Sequence, residues 1–490
     1  MGKLTPTDFY VYRKRMLLSV IAVALFSAIL LFIAALEIPG GLANVELTSA
    51  TQSGNLSSKA LVGEQPDNTL FLPYHILQFI SMHTLGMTPL AIKLPSIIMA
   101  ASSLIALFCL FLLWFRKNVA IIGTALTASL TIFLVLAQQG TPMISYFFWA
   151  VVLLYSVSML THAQKFRPLW LIVAACVTAL SLYSPYNIYV VLALFITALI
   201  HPHARFAVFR QPIWALILGV ILFCFTITPL ALALLRHPGL WLDLIGVPHA
   251  VSWASILANL GMYANFHHPA SELYPKPVYS LGIIILILVG LYRVFTTKYT
   301  TKSYTVTTML VFSIFVLLFS SFSAGFLVFP VALLMAFGVD YLIRKWYGLF
   351  PHNPYARLAG ILILTVVTIG LGIAGIQRYE LGYHYDPRAS AAYTTDLTLL
   401  NATVAREKKP AITLLVPKEQ KGFYDIYARR AKSKNHSLSV TSSLASVPQN
   451  SVLIVAGSQV SSVPLVPKSV IVSPSSSNAD RFYVFENSPN

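Results

Sequence analysis

A chain of 490 residues that is 57% hydrophobic and only 10% charged lies far from soluble globular domains, where about a quarter of residues carry charge. This composition excludes a soluble protein and predicts a multi-pass, helical membrane protein, because no open sheet satisfies its backbone in hydrocarbon. The formal net charge of +17 could suit nucleic acid, but the basic residues are scattered in short loops between apolar segments. There they read as topology signals facing anionic lipid headgroups, so the expected partner is the bilayer and not nucleic acid.

The polar, basic segment 1–15 is followed by an apolar run over 16–36 that is long enough to span, a pattern that reads as a retained signal anchor. Arg13, Lys14 and Arg15 place the N-terminus in the cytoplasm. The loop 37–87 is then external. In it Asn44 is expected to cap a short helix over 45–53 that Gly54 ends, which puts Glu46 in the first turn. A second interfacial helix is expected over 70–85.

Ten further spans are expected at 88–115, 119–137, 144–161, 168–184, 186–200, 212–235, 279–296, 304–320, 322–343 and 358–376, about eleven crossings in all. Alternate loops carry the basic residues, among them Arg116, Lys117, Arg167, Arg205, Arg293, Lys302, Arg344 and Lys345, which makes those loops cytoplasmic. The opposite loops hold only Lys59, Arg236 and Lys276. The external region 237–278 holds Trp241, Trp253, Tyr263 and Tyr274, a set that suits an interfacial aromatic belt or a platform for a sugar or lipid head. Its adjacent His267 and His268 make a poor metal site, since sequence neighbours rarely ligate one ion, and no metal or other cofactor is expected. Cys109, Cys176 and Cys224 all lie in apolar segments, so they offer no disulfide framework.

After residue 377 the composition turns charged and Ser-rich, predicting a soluble extracytoplasmic α/β domain over 378–490 beyond a transmembrane domain over 1–377. Helices are expected at 390–408 and 419–433, and strands at 411–416, 437–441, 451–456, 469–472 and 481–485. No phosphate loop, nucleophile elbow or metal spacing occurs there, which favours docking or acceptor contact over independent catalysis. Asn55, Asn401 and Asn435 open N-x-S/T sequons on the expected outer side.

Several short patterns occur in a shared order: an external acid opening a short helix, then Leu85-Gly86, Lys93-Leu94-Pro95-Ser96, and a span ending in Arg116-Lys117. Gln138-Gln139-Gly140-Thr141-Pro142, Tyr183-Ser184-Pro185-Tyr186 and Phe329-Pro330 through Gly338 follow. This order resembles the glycosyltransferase-C superfamily, in particular its protein O-mannosyltransferase and lipid A aminoarabinose transferase branch. That branch has an Asp-Glu pair where this chain reads Val45-Glu46, and an Arg before the late Pro-containing span where this chain reads Ser323-Ala324-Gly325.

The resemblance implies an integral-membrane transferase that takes sugar from a polyprenyl-phosphate carrier and passes it to an acceptor outside the cytoplasmic membrane. Such chemistry needs a base for the acceptor hydroxyl and positive charge for the departing phosphate. Glu46 suits the first role, or it serves only to favour its helix N-terminus. Lys93 suits the second, or it only anchors its span, and Lys59 and Arg236 are further candidates. Pro73, Tyr74 and His75 are placed to shape the donor cleft, and Tyr183 and Tyr186 to line it. Asp340 is expected to pair with Arg344 one turn on. The rival readings are a scaffold of the same fold without catalysis, and a lipid or solute transporter, although no internal repeat supports the latter.

Overall fold

A computed structural model of the chain describes residues 17, 20–33, 41–162, 166–209, 211–246, 253–264, 278–297, 299–319, 323–385, 393–395, 397–407, 411–430, 437–444, 447, 451–471 and 482–486. The expectations for the basic N-terminal segment, for His267, His268, Tyr274 and Lys276, and for the sequon at Asn435 lie outside these residues.

The apolar segments form helices. In chain order they are α1 (Val20–Ile33), α6 (Pro89–Trp114), α7 (Lys117–Ala128), α8 (Thr131–Gln138), α9 (Ile144–His162), α10 (Arg167–Ser181), α11 (Asn187–Ile200), α13 (Ile213–Arg236), α16 (Leu281–Thr296), α17 (Thr301–Phe319), α18 (Ser323–Leu349) and α19 (Pro354–Tyr385). Among the described residues six of these are long and apolar enough to cross a membrane, α7 and α8 together make a broken seventh, and four are shorter apolar helices. They occupy the eleven segments expected from hydropathy, and the chain is a multi-pass membrane protein.

The loop between α1 and α6 adds strand β1 (Leu42–Ala43) and helices α2 (Asn44–Gly54), α3 (Ser58–Leu61), α4 (Pro66–Thr69) and α5 (Leu72–Leu85). Between the spans lie α12 (Pro202–Phe209), α14 (Leu240–Ile245) and α15 (Trp253–Ala264).

Helix α18 is the axis of the bundle, with 89% of its apolar window buried. Its closest neighbour is α16. Where they cross, glycines replace side chains: a Cβ on Gly290 would lie 1.9 Å from Leu334 O, and one on Gly338 would lie 2.6 Å from Leu286 O. Small residues allow such backbone approach in lipid, where dispersion and not water exclusion holds helices together. Gly290→Leu is therefore expected to lower stability by at least about 2 kcal/mol, since it forces two backbones apart. Thermal unfolding in detergent reads this, and an unchanged transition would contradict the crossing.

The segment expected as one span over 119–137 is instead bent by 62° between α7 and α8. No Pro or Gly lies at the break; a tertiary contact holds it. Thr131 Oγ1 donates to Gly375 O at 2.8 Å, and a Cβ on Gly375 would sit 2.1 Å from Ser129 O. The bend ends α8 at Gln138, beside the α1–α6 loop.

Beyond α19 come β2 (Tyr393–Thr395), α20 (Leu397–Arg406), β3 (Ala411–Leu415), α21 (Lys421–Arg430), β4 (Ser437–Thr441), β5 (Val452–Ala456), β6 (Ser469–Ile471) and β7 (Phe482–Glu486). The helix expected over 390–408 is shorter, because Tyr393–Thr395 pairs antiparallel with β1 instead. The five-stranded sheet has the order β4-β3-β5-β7-β6, parallel across β4, β3 and β5 and antiparallel from β5 through β7 to β6.

This sheet unit shares one apolar core with the α1–α6 loop and the start of α6: Leu47, Met82 and Ile92 cluster with Leu400, Phe423 and Tyr427. Gln420 Nε2 donates to Asn44 Oδ1 at 2.9 Å, and the bare face of Gly54 admits Ile426. The sequon residue Asn401 is committed to this seam, donating to Met87 O and accepting from the Tyr427 hydroxyl. A glycan on it would break both bonds.

Candidate functional site

Helix α2 starts one residue earlier than expected, with Ala43 and not Asn44 at its N-cap. Glu46, at the third helical position, turns back so that its Oε2 accepts from Ala43 N at 2.8 Å, which is one half of a capping box. Its Oε1 accepts from Gly140 N at 2.5 Å, in the turn after α8. Lys93, one turn into α6, donates from Nζ to Gly41 O and to Gln138 Oε1, each at 3.3 Å. Glu46 and Lys93 thus bridge the same two segments two residues apart, Ala43 to Gly140 and Gly41 to Gln138. Their charges interact. Both side chains are shut away from solvent, at 0% and 2% exposure.

Gln78 completes the closure. Its Nε2 donates to Ile92 O and Gly140 O, both at 2.9 Å, and its Oε1 accepts from Ser49 Oγ at 3.0 Å and Ser53 Oγ at 2.6 Å. Two carbonyls on one side and two hydroxyls on the other fix the amide orientation, since a carbonyl can only accept. With its proton on Gln78, Ser53 Oγ accepts from His75 Nδ1, 2.8 Å away. The hydroxyl of Tyr74 meets Ser96 Oγ at 2.8 Å, and Ser96 donates to Thr141 O. One face of α5, carrying Tyr74, His75 and Gln78, therefore ties α2, α6 and the turn at Gly140 together. That turn tolerates no side chain: a Cβ on Gly140 would lie 2.7 Å from Ile92 Cγ2 and 3.3 Å from Glu46 Oε1.

Burial pushes the His75 imidazole down to about 4 from the usual value of about 6.5. Below about pH 6.5 the unfolded chain binds this proton and the folded one resists it. The neutral ring's contribution is therefore whole above about pH 6.5 and is lost progressively as pH falls toward about 4, up to about 3 kcal/mol in total. The melting temperature should fall across that window in the wild type and less in His75→Gln; equal slopes would contradict the burial.

The other predicted residues lie elsewhere. Pro73 begins α5 after Phe71, which is held in the left-handed region (φ 54°) with its N–H on Tyr183 O at 2.8 Å. Pro73 and Tyr183 line an apolar cavity of about 750 Å³ that also touches Leu72, Met99, Trp149 and Phe225. The Tyr183 hydroxyl is occupied by Thr226 O at 2.7 Å. Tyr186 is not at this cavity's wall: it is buried between Tyr146 and Phe326 and caps α11 in the left-handed region. Lys59 is exposed on α3, and Arg236 pairs with Glu64 at 3.5 Å, both about half exposed. Neither shares a hydrogen bond with the Glu46 cluster among the bonds described. Asp340 does pair with Arg344, at 2.7 Å. Among the described residues no three His, Cys, Asp or Glu side chains are grouped to hold a metal.

Gln78, Ser49, Ser53 and Gly140 were not singled out as site residues from the sequence. The only available signal for Gln78 was its place on the buried face of an amphipathic helix, one turn after Tyr74.

Three comparisons bear on this arrangement. A family model described as dolichyl-phosphate-mannose-protein mannosyltransferase matches residues 68–230, which include α5, Lys93 and the Gly140 turn. No curated protein sequence gives a significant match. The fold is similar to that of ArnT from Cupriavidus metallidurans, solved bound to undecaprenyl phosphate, with a TM-score of 0.52 and 12% identity over 94% of this chain and 97% of that one. It is similar as well to the Archaeoglobus fulgidus oligosaccharyltransferase, solved tethered to an acceptor peptide containing an NVT sequon, with a TM-score of 0.52 and 11% identity over 86% of this chain. This chain spans 64% of that enzyme's length. These likenesses, at 11–12% identity, are of fold: a multi-pass helical bundle followed by a smaller sheet-containing unit.

Proposed function

We propose that this protein is a membrane glycosyltransferase that moves a sugar from a polyprenyl-phosphate donor to an acceptor on the outer side of the cytoplasmic membrane. The observation that carries this reading is the side-by-side placement of one carboxylate and one ammonium, each bridging the Gly41–Ala43 strand to the Gln138–Gly140 turn. The matched family model, the undecaprenyl phosphate bound by the similar ArnT structure and the apolar cavity flanking α5 and α6 support it. The cavity suits an isoprenoid tail.

In the proposed step the acceptor oxygen attacks the sugar's anomeric carbon and its proton passes to Glu46. The carbon–oxygen bond to phosphate breaks, and the phosphate leaves with the electron pair, stabilised by Lys93. The reaction inverts the anomeric centre. Each Glu46 oxygen accepts one N–H and keeps a lone pair for a proton, but the side chain is fully buried, so the closed arrangement is a resting state that substrates open. Topology follows the basic loops, with the N-terminus inside and the sheet unit outside.

One observation favours a second reading. A buried carboxylate satisfied by two backbone N–H groups also serves as a structural clip, and a scaffold without catalysis needs no more. The test is release of polyprenyl phosphate from a polyprenyl-phosphate sugar by the purified protein in proteoliposomes. Donor-dependent release supports transfer; no release with any donor and acceptor, from protein that is folded, overturns it.

A further inference from the structure

Helix α6 carries Lys93 near one end and Trp114 at the other, about 30 Å apart at 1.5 Å per residue. Around Trp114, where α9 and α11 end and α17 begins, lies a second cavity of about 260 Å³. Its floor is apolar, with Leu154 and Leu194, and its rim is basic and hydroxylic, with Ser158, Thr161, His162, His203, Thr301 and Lys302. Among the described residues no carboxylate lines it.

Lys302 Nζ donates to Trp114 O and lies about 6 Å from the Trp114 and Phe115 rings, which leaves ammonium protons for another acceptor. Behind it Asp340 is spent on Arg344. His162 donates through Nδ1 to Ser158 O at 2.9 Å, which turns Nε2 to other partners. The Thr301 hydroxyl meets His201 Nδ1 at 3.2 Å, and the exposed His203 sits at the mouth.

One ammonium beside two imidazoles over an apolar floor, with no carboxylate among the described lining residues, recognises a phosphate that carries a short apolar extension. We infer that this cavity, at the end of the bundle opposite Glu46, is a binding site for a phosphoryl group, held by Lys302, His162 and His203. A phospholipid headgroup entering from that leaflet fits the amphipathic wall, and a free phosphate shares the same chemistry.

The test is ligand binding by the full-length protein in detergent. Native mass spectrometry would follow dioleoylphosphatidylglycerol and the phosphate-free dioleoylglycerol, and equilibrium dialysis would follow inorganic phosphate. Phosphatidylglycerol should bind in preference to dioleoylglycerol, with Lys302→Met and His203→Ala each weakening it about fivefold and Lys302→Arg retaining it. If inorganic phosphate binds in a Lys302-dependent manner while phosphatidylglycerol does not, the phosphoryl site stands and its source is soluble. The inference is overturned if binding of both probes is insensitive to Lys302 and His203, or if dioleoylglycerol binds as well as phosphatidylglycerol. His203 is exposed, so its removal does not threaten the fold.

Discussion

Replacing Glu46 with Gln is expected to abolish sugar transfer, a loss of about 10²–10⁴-fold if the carboxylate is the general base. The same change has a structural cost, because both carboxylate oxygens accept from backbone N–H groups, those of Ala43 and Gly140. Gln has one oxygen, so its amide nitrogen would face one of these donors in a fully buried place, costing about 1–3 kcal/mol. Turnover must therefore be measured per folded molecule, with the thermal transition recorded beside it. Catalysis and clipping then separate: both readings predict a lower melting temperature, but only the base reading predicts turnover per folded molecule that is present in the wild type and lost in the variant. Glu46→Asp sharpens the contrast, since the shorter chain keeps a carboxylate but cannot span the same two N–H groups.

Gln78→Leu should produce the largest loss of stability of any single change in the α1–α6 loop, about 3–5 kcal/mol. Leu matches the volume but leaves two serine hydroxyls and the carbonyls of Ile92 and Gly140 without their buried partner, and each unsatisfied group costs about 1–3 kcal/mol before relaxation. Gln78→Glu is no rescue, because a carboxylate would confront two carbonyl oxygens. Thermal unfolding reads the effect, and a shift corresponding to less than about 1 kcal/mol would mean that α5 does not hold the site together. Loosening the Gly140 turn should also impair whatever Glu46 and Lys93 do there, so activity is expected to fall with stability.

Much of this architecture was legible before any coordinates. Apolar runs near 20 residues are dictated by bilayer thickness, and each of the eleven expected segments is helical among the described residues. The strands at Ala411 and Val452 were visible as short β-branched runs. The break between Ala128 and Thr131 was not, because its cause is a hydroxyl reaching Gly375 O more than two hundred residues away, and local sequence holds no trace of it. Tyr393–Thr395 was hidden for the same reason: its strand exists only because β1 is there to pair with it.

The site divides in the same way. Glu46 and Lys93 stand out because charge in apolar sequence is rare and costly. Gln78 does not, since a glutamine on a helix looks like any polar surface residue until its four partners are known. Arg236 stands out as a cation at the end of a span, whereas the Glu64 that pairs with it is remote in sequence and could not be read from it. Tyr186 was expected to line the donor cleft from a resemblance in its Tyr-rich turn, and local sequence does not show that its ring packs between Tyr146 and Phe326.

The most direct measurement compares wild type with Glu46→Gln in proteoliposomes, counting polyprenyl phosphate released from a polyprenyl-phosphate sugar per folded molecule. The account predicts release by the wild type and its loss in the variant. Equal release by both proteins would remove Glu46 from the chemistry and contradict the account.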